Sequence, residues 1–217
     1  MFTQTVLDRP TFRLLLKFHL GLPLMADAQL CPDCLTQDVF GHHALSCKKS
    51  SGFIDKHNAI VTTIFDTLKS AGVTCSKEAF NPMTDDRQRP GDIHIPDFDV
   101  YGEAYLDVSI INILAPSHLA RAATGPLAGS QIRYDEKMRK YPDLGSNFKP
   151  LVLECTGGWH QYSMGYLKTI ANRVSSYSLK SPTQVLNEML TAVSFRLQRQ
   201  RAMLIHALVD KCSIANV

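Results

Sequence analysis

Long apolar segments are missing from this sequence of 217 residues. The longest, residues 13–24, is interrupted by Lys17, His19 and Pro23, whereas a helix that crosses a bilayer needs about 20 apolar residues in succession. We also expect no secretory leader, because the N-terminal segment carries charge and a proline at Asp8-Arg9-Pro10. We therefore expect no membrane partner and an intracellular, reducing compartment.

Strong charge of one sign is also lacking. The formal net charge is +3, so overall charge favours a nucleic-acid partner only weakly, and such a function has to rest on local sites. Low-complexity segments and internal repeats are absent from the sequence, and 45% hydrophobic with 20% charged residues is typical of a globular protein. The length fits one medium domain, or a small module joined to a core of ordinary size.

Hydrophobic periodicity predicts helices and strands in a definite order. Helices are expected over residues 12–22, 53–71, 117–123, 132–141 and 182–211, with further helix from about 162, and strands over 73–80, 92–98, 104–111 and 150–155. Residues 81–90 are expected to form a loop, and Pro96 favours a short strand or an edge strand over 92–98. This order predicts an α/β fold in which helices flank a short mixed sheet.

Three of the six cysteines lie close to two histidines. Cys31 and Cys34 form a C-x2-C pair, and Cys47 follows the adjacent His42 and His43. Three thiolates and one imidazole are a usual tetrahedral set for structural Zn²⁺, and such a set leaves no position open for a substrate. The sequence therefore predicts a small N-terminal zinc knuckle and leaves the choice between His42 and His43 open.

Two acids fall on neighbouring predicted strands. Asp92 opens the first strand, and Asp107 lies inside the second between Leu106 and Val108. A carboxylate in an apolar strand is costly to bury without a cation. If the strands form a hairpin, the two acids can hold Mg²⁺ or Mn²⁺ through oxygen ligands, and such an ion polarises a phosphodiester. The alternative is a surface hairpin whose acids face solvent.

The acids and the residues around them resemble the PD-(D/E)xK nuclease superfamily. Arg89-Pro90-Gly91-Asp92 stands where that family has Pro-Asp, and Asp107 stands where it has the second acid. The lysine that usually follows two residues later is replaced by Ser109, which is a departure from the pattern. The resemblance implies a restriction-endonuclease-like core.

One branch of that superfamily is more similar. It is the restriction-like endonuclease at the C-terminal end of site-specific non-LTR retrotransposon polyproteins, which has a Cys-Cys-His-Cys knuckle, a basic-His pair and a later K-x-x-K-Y motif. The knuckle, Lys56-His57 and Lys137-Met138-Arg139-Lys140-Tyr141 stand in that order here, followed by the strand that ends at Glu154. The resemblance covers roughly residues 12–160.

The resemblance implies roles for particular residues. Lys137 corresponds to the catalytic lysine that has moved onto a helix, with Lys140 in reserve. Glu154 is either a third carboxylate of the site or a satisfied acid at the end of a strand. Contacts to DNA phosphate are implied for a group near the acids: Lys56, His57 and Arg89.

These interpretations lead to an expected function and organisation. We expect a DNA endonuclease that uses Mg²⁺ or Mn²⁺, contains a structural Zn²⁺, and nicks DNA in the nucleus for the integration of a mobile element, with DNA or element RNA as partner. The alternative is a catalytically inactive, domesticated nucleic-acid-binding module. We expect an N-terminal helix and knuckle in residues 1–50, a nuclease core in 51–160 and a helical extension in 161–217. The chain is too short for a reverse transcriptase, so we expect a fragment of a larger polyprotein or a stand-alone derivative.

Overall fold

The computed structural model describes residues 6–25, 27–47, 49, 52–79 and 91–215. Two short 3-10 helices span His43–Leu45 and Pro142–Asn147. Within the described ranges no helix combines the length and the apolar character that crossing a bilayer requires. The other elements follow one another as α1 (Arg9–His19), β1 (Gln29–Leu30), β2 (Gln37–Asp38), α2 (Gly52–Ser70), β3 (Ser76–Ala79), β4 (Gly91–Asp99), β5 (Gly102–Ile111), α3 (Pro116–Ala122), α4 (Ala128–Lys140), β6 (Phe148–Glu154), α5 (Gln161–Ser175) and α6 (Pro182–Ala215).

The main sheet has four strands in the order β3-β4-β5-β6. The first two pairs are antiparallel and the β5–β6 pair is parallel, so the sheet is mixed, as the sequence predicts. A parallel pair needs a crossover connection, which α3 and α4 provide. β5 is buried along most of its length because it has a partner strand on each side and helices over both faces.

Successive side chains of β5 point alternately toward the two layers of helices. Leu106 and Val108 belong to the main hydrophobic core, together with apolar residues of α2, α5 and α6. Ile111 packs against Tyr134 of α4 instead. Because successive residues of a strand point to opposite faces, Asp107 shares the face that α4 covers. The fold is therefore α/β, with helices on both sides of a small mixed sheet.

β4 is longer than its proline led us to expect. The strand has nine residues and lies between β3 and β5, so the expectation of a short or edge strand is wrong. The β4–β5 register shifts between Ile95 and Asp99. An irregularity of this kind accommodates Pro96, which has no N–H to donate to a neighbouring strand.

The helix and strand order predicted from periodicity is confirmed, and several element bounds differ from the prediction by three or four residues. α1 begins three residues early because the Asp8 side chain accepts the Thr11 N–H at 2.8 Å. α4 begins four residues early because Glu154, from the next strand, accepts the Ser130 N–H at 3.1 Å. The loop expected over residues 81–90 lies outside the described residues.

Hydrophobic packing crosses the boundary placed at residue 160. The main core joins Ile64 of α2 and Leu106 of β5 to Leu167 of α5 and Leu197 of α6. A second cluster packs the Cys/His segment against α6 through Leu45 and its neighbours. The C-terminal helices therefore complete the cores of both preceding segments, and the division into three segments stays a prediction.

Candidate metal centre and acidic cleft

Four ligand-type side chains meet between β1 and α2. The sulfur atoms of Cys31, Cys34 and Cys47 and a ring nitrogen of His43 all lie within 4.8 Å of one another. The Cys31 and Cys47 sulfurs are 3.9 Å apart, which is close to the ~3.8 Å edge of a tetrahedron with Zn–S bonds of about 2.3 Å. This cluster, called the knuckle below, could bind a metal ion such as Zn²⁺.

The structure distinguishes between the two adjacent histidines. His43 Nε2 lies 3.0 Å from the Cys34 sulfur, whereas the His42 ring stacks on Phe40 and burial lowers the pKa of His42. The buried Asp38 carboxylate accepts the N–H groups of this turn, including that of His43 at 2.9 Å. It thereby fixes the start of the 3-10 helix and directs His43 toward the cysteines.

The turn before the histidines depends on a glycine. Gly41 has a φ of +75°, a conformation that side chains disfavour. A Cβ atom there would lie 2.8 Å from Leu24 Cδ1 and 3.1 Å from a side-chain carbon of Ile205 in α6. The knuckle and α6 therefore approach each other more closely than a larger residue would allow.

Two thiols of the knuckle have pKa values shifted in opposite directions. A hydrogen bond from the Thr36 hydroxyl is the largest cause that lowers the pKa of Cys34, to about 6. Burial raises the pKa of Cys31 to about 11. A positive charge is therefore needed to keep Cys31 ionised at neutral pH, and a thiolate-bound metal ion supplies such a charge.

Lys56 and Asn112 connect the knuckle to the rest of the fold. The Lys56 Nζ atom donates to the Leu45 carbonyl at 3.0 Å, and Asn112 Nδ2 donates to the His42 carbonyl at 2.9 Å. Lys56 is 3% exposed, and burial lowers its pKa to about 8. The Lys56 ammonium thus contacts the knuckle while the residue also lines the space beside Asp107, and its contact with DNA phosphate stays a prediction.

The two predicted strand acids lie at the same end of the β4–β5 pair. The register pairs Ile93 with Leu106, the residues that adjoin Asp92 and Asp107. The Asp92 carboxylate accepts the N–H of Val108, the residue after Asp107. The charge of Asp92 is also one of the causes that raise the pKa of Asp107, so the two acids lie close enough to interact.

Asp92 is held by two groups from neighbouring elements. Its Oδ2 atom accepts the Val108 N–H at 2.7 Å and lies 3.2 Å from His57 Nε2 of α2. The hydrogen bond to Asp92 raises the pKa of His57, although burial acts in the opposite direction. His57, predicted as a phosphate contact, therefore contacts the first acid and the end of β5 in this structure.

Asp107 meets the lysine that the resemblance singled out. Lys137 Nζ of α4 lies 2.7 Å from Asp107 Oδ2, and Asp107 is 8% exposed. Burial raises the pKa of Asp107, and the charge of Lys137 opposes this shift. Among the described residues, this oxygen accepts no hydrogen bond of good geometry. The contact is therefore a close ion pair at a buried carboxylate oxygen.

Ser109 takes the place of the usual lysine and contacts an arginine. Its hydroxyl accepts a hydrogen bond from Arg133 Nε at 2.8 Å. The sequence reasoning missed Arg133, although its spacing of four residues from Lys137 places both on one face of a helix. That spacing was the signal that could have found it.

These side chains line one cleft of about 250 Å³. Asp107 and Ser109 contribute from the strand, Arg133 and Lys137 from α4, and Lys56 and His57 from α2. The cleft thus combines one buried acid with three basic side chains, those of Lys56, Arg133 and Lys137. That arrangement suits an anionic ligand.

The remaining predicted site residues lie elsewhere. Glu154 is paired across the parallel strands with Ile111, four residues along β5 from Asp107, which corresponds to about 13 Å. Its carboxylate caps α4, so the satisfied strand-end role describes it in this structure. Lys140 Nζ lies 4.9 Å from the centre of the Tyr141 ring, away from the acids. Arg89 falls outside the described residues.

No protein-family model matches this chain, and no match was found among curated proteins or solved structures.

Proposed function

We propose that this protein is a metal-dependent DNA endonuclease of the PD-(D/E)xK type, in which Asp92 and Asp107 hold Mg²⁺ or Mn²⁺. The observation that carries the proposal is the meeting of two neighbouring strand acids with a lysine from a separate helix, whose Nζ atom lies 2.7 Å from Asp107. The exposure of Asp107, 8%, argues against a solvated surface hairpin. The resemblance in motif order supports the same assignment.

The donor atoms fit a hard divalent cation. Mg²⁺ is bound in proteins through one or two carboxylates, with waters and substrate phosphate as its other ligands. Asp107 offers a buried carboxylate oxygen, and the Asp92 carboxylate lies at the same end of the strand pair. The strand acids therefore suit a site that keeps positions open for substrate, unlike the four-ligand knuckle.

Each residue of the cleft has a definite task in this proposal. The bound ion supplies charge neutralisation and Lewis acidity at the phosphodiester. Lys137, held by Asp107, presents its ammonium to the scissile phosphate and stabilises the charge that develops there. His57 and the Val108 N–H fix the orientation of the Asp92 carboxylate.

The resemblance extends the proposal to biological context. The retrotransposon branch pairs a zinc knuckle with a nuclease that nicks its target, so we assign the knuckle a structural Zn²⁺ and the cleft a nicking activity in the nucleus. The migrated lysine of that branch corresponds to Lys137. Ser109 then stands at the lysine position of a variant PD-(D/E)xK motif, in which α4 supplies the basic side chains Arg133 and Lys137.

A second candidate function is a nucleic-acid-binding module that has lost cleavage. One observation favours it: Lys137 already neutralises Asp107, which reduces the negative charge available to a metal ion. In that case the cleft and the knuckle would bind nucleic acid without cleaving it. Cleavage and metal binding distinguish the two functions directly.

The test is nicking of supercoiled plasmid in Mg²⁺, Mn²⁺ and EDTA, together with Mn²⁺ binding by calorimetry. We expect nicking with either ion and none in EDTA. Asp107→Asn should lower the rate ~10³-fold, because the metal contributes several kcal/mol of transition-state stabilisation. It should also abolish Mn²⁺ binding at the cleft.

A matched control is Asp66→Asn, which changes an exposed acid on α2 away from the acid pair. This variant should nick and bind Mn²⁺ like the parent. A parent protein that binds DNA but neither nicks it nor binds Mn²⁺ would establish the binding module instead. Equal nicking by the parent and Asp107→Asn would remove the strand acids from the active site.

A further inference from the structure

Arg133 occupies the position from which a second cation can reach the substrate of the cleft. It lies one helical turn before Lys137 on α4, and both side chains line the cleft with Asp107. Its Nε atom donates to Ser109 Oγ at 2.8 Å. Ser109 follows Asp107 by two residues on the same face of β5, so the guanidinium is held next to the proposed metal site.

The donors of Arg133 are only partly used. Nε bonds to Ser109, and Nη1 lies 3.0 Å from the Glu136 carboxylate, whereas a guanidinium carries five N–H donors. The ion pair with Glu136 is exposed, with side-chain exposures of 41% and 43%. Exposed pairs of this kind contribute little to stability because solvent screens them. Glu136 is therefore a weak competitor for an anion that offers two oxygens.

Phosphate is the anion that best matches this geometry. Arginine binds phosphate through two parallel N–H donors, and the planar group loses little freedom when a neighbour already fixes one edge. Ser109 fixes the Nε edge. We propose that Arg133 binds a phosphate of the DNA strand in the cleft and that Ser109 is the positioning residue that orients it.

This proposal rests on the proposed nuclease function and adds a substrate contact to it. Its test measures binding of a random-sequence DNA duplex of about 30 base pairs over a range of salt concentrations, in buffer without added Mg²⁺, Mn²⁺ or chelator so that the knuckle keeps its Zn²⁺, beside plasmid nicking in Mg²⁺. Arg133→Ala should weaken duplex binding about tenfold at low salt. It should also reduce the slope of log Kd against log salt by about 0.9, the value for one lost phosphate contact.

Conservative variants separate charge from geometry. Arg133→Lys keeps the positive charge and should restore the salt slope, while the affinity recovers only in part because lysine lacks the planar pair of donors. Ser109→Ala keeps the arginine and should weaken binding a few-fold with an unchanged slope. A purely structural role for Ser109 would lower thermal stability without this selective loss of affinity.

Two controls on the same helix complete the design. Arg139→Ala removes an equal charge from an exposed position that does not line the cleft, and its slope should match the parent. Glu136→Gln breaks the ion pair with Arg133 and should leave DNA affinity intact or raise it. If Glu136→Gln weakens binding as much as Arg133→Ala, the arginine serves the ion pair and the proposal is overturned.

The outcomes separate this proposal from the proposed function. A parent that nicks DNA, with an Arg133→Ala variant of equal affinity, slope and nicking rate, overturns the arginine contact alone. A parent that binds DNA through Arg133 but never nicks it overturns the nuclease function and keeps the phosphate contact. A parent that neither binds nor nicks DNA overturns both.

Discussion

The knuckle and the acidic cleft are both candidate metal sites, but they are built in different ways. All four ligand-type residues of the knuckle fall within residues 31–47, in one local segment. The cleft takes its acids from β4 and β5, a histidine from α2 and two cations from α4. The first site is a property of local spacing, whereas the second exists only when four elements have packed.

The two sites also differ in how their charges are balanced. The knuckle brings together three thiols, and the buried Cys31 in particular needs a nearby positive charge to ionise. The cleft carries its own cation, because Lys137 pairs with Asp107. Removal of metal should therefore destabilise the knuckle much more than the cleft, and each of the following variants tests one side of this contrast.

The largest effect is expected at the knuckle. His43→Asn should not bind the one equivalent of Zn²⁺ that the parent binds. Its loss of stability should be the greatest among these variants. The reason is that ~10 kcal/mol of metal-binding free energy can be coupled to folding in such sites. His42→Asn is the matched control and should keep its Zn²⁺. Elemental analysis and thermal unfolding measure both effects; Zn²⁺ lost from His42→Asn alone would reverse the ligand assignment.

The next effect is on catalysis in the cleft. Lys137→Ala should lower plasmid nicking ~10³-fold while duplex affinity changes less than about threefold, because the ammonium acts mainly on the transition state. Asp107→Asn, by contrast, should also lose Mn²⁺ binding. Lys140→Ala, whose ammonium lies over Tyr141, should nick like the parent. If the Lys140 variant were inactive and the Lys137 variant active, the two lysines would exchange roles.

A smaller effect is expected where the two regions meet, at Lys56. Its pKa falls from 10.5 to about 8 on folding because it is buried, so the unfolded chain binds more protons between those values. Stability should therefore rise as pH increases from about 8 to 10.5, by about 3 kcal/mol at most. Cys155 and Arg201 are the charged neighbours that act on Lys56, and both remain in the control variant.

That control is Lys56→Met, which should lack this part of the pH dependence. Denaturant unfolding of both proteins between pH 7.5 and about 10.5 isolates the contribution of Lys56, because other titrating groups are common to the pair. Parallel stability curves for the two proteins over this range would show that the Lys56 ammonium is not buried against Leu45.

The smallest effect is expected at the end of β6. Glu154→Gln removes a negative charge from the N-terminus of α4, where its carboxylate accepts the Ser130 N–H. Loss of such a cap and dipole interaction is worth about 1 kcal/mol, or roughly 2–4 °C in Tm. Nicking should stay at the parent rate. A strong loss of nicking with unchanged Tm would make Glu154 a third ligand of the cleft after all.

The difference between the two regions also explains what the sequence could predict. The C-x2-C pair and the later cysteine indicated the knuckle from spacing alone, but the choice of His43 depended on Asp38 and on the packing of the turn. Asp92 and Asp107 were found because strand patterns place acids at recognisable positions. Their placement at one end of the strand pair required the β4–β5 register, which the sequence did not determine.

Long-range contacts account for what was not predicted. Lys56 looked like an exposed cation beside a histidine, and its burial against Leu45 follows only from the docking of the knuckle on α2. Arg133 was overlooked because a strand residue, Ser109, gives it its place in the cleft. The start of α4 was misplaced since its cap, Glu154, comes from the following strand.

The parallel pairing of β5 and β6 has a consequence for the order in which the molecule assembles. A short turn joins β4 to β5, so Asp92 and Asp107 can meet through contacts that are local in sequence. Asp107 pairs with Pro150 only after the chain through α3 and α4 has closed, and longer closures form later on average. We therefore expect the two acids to approach each other during folding before α4, the helix that carries Lys137, docks. When α4 docks, the Lys137 ammonium reduces the repulsion between the two carboxylates, and this favours docking.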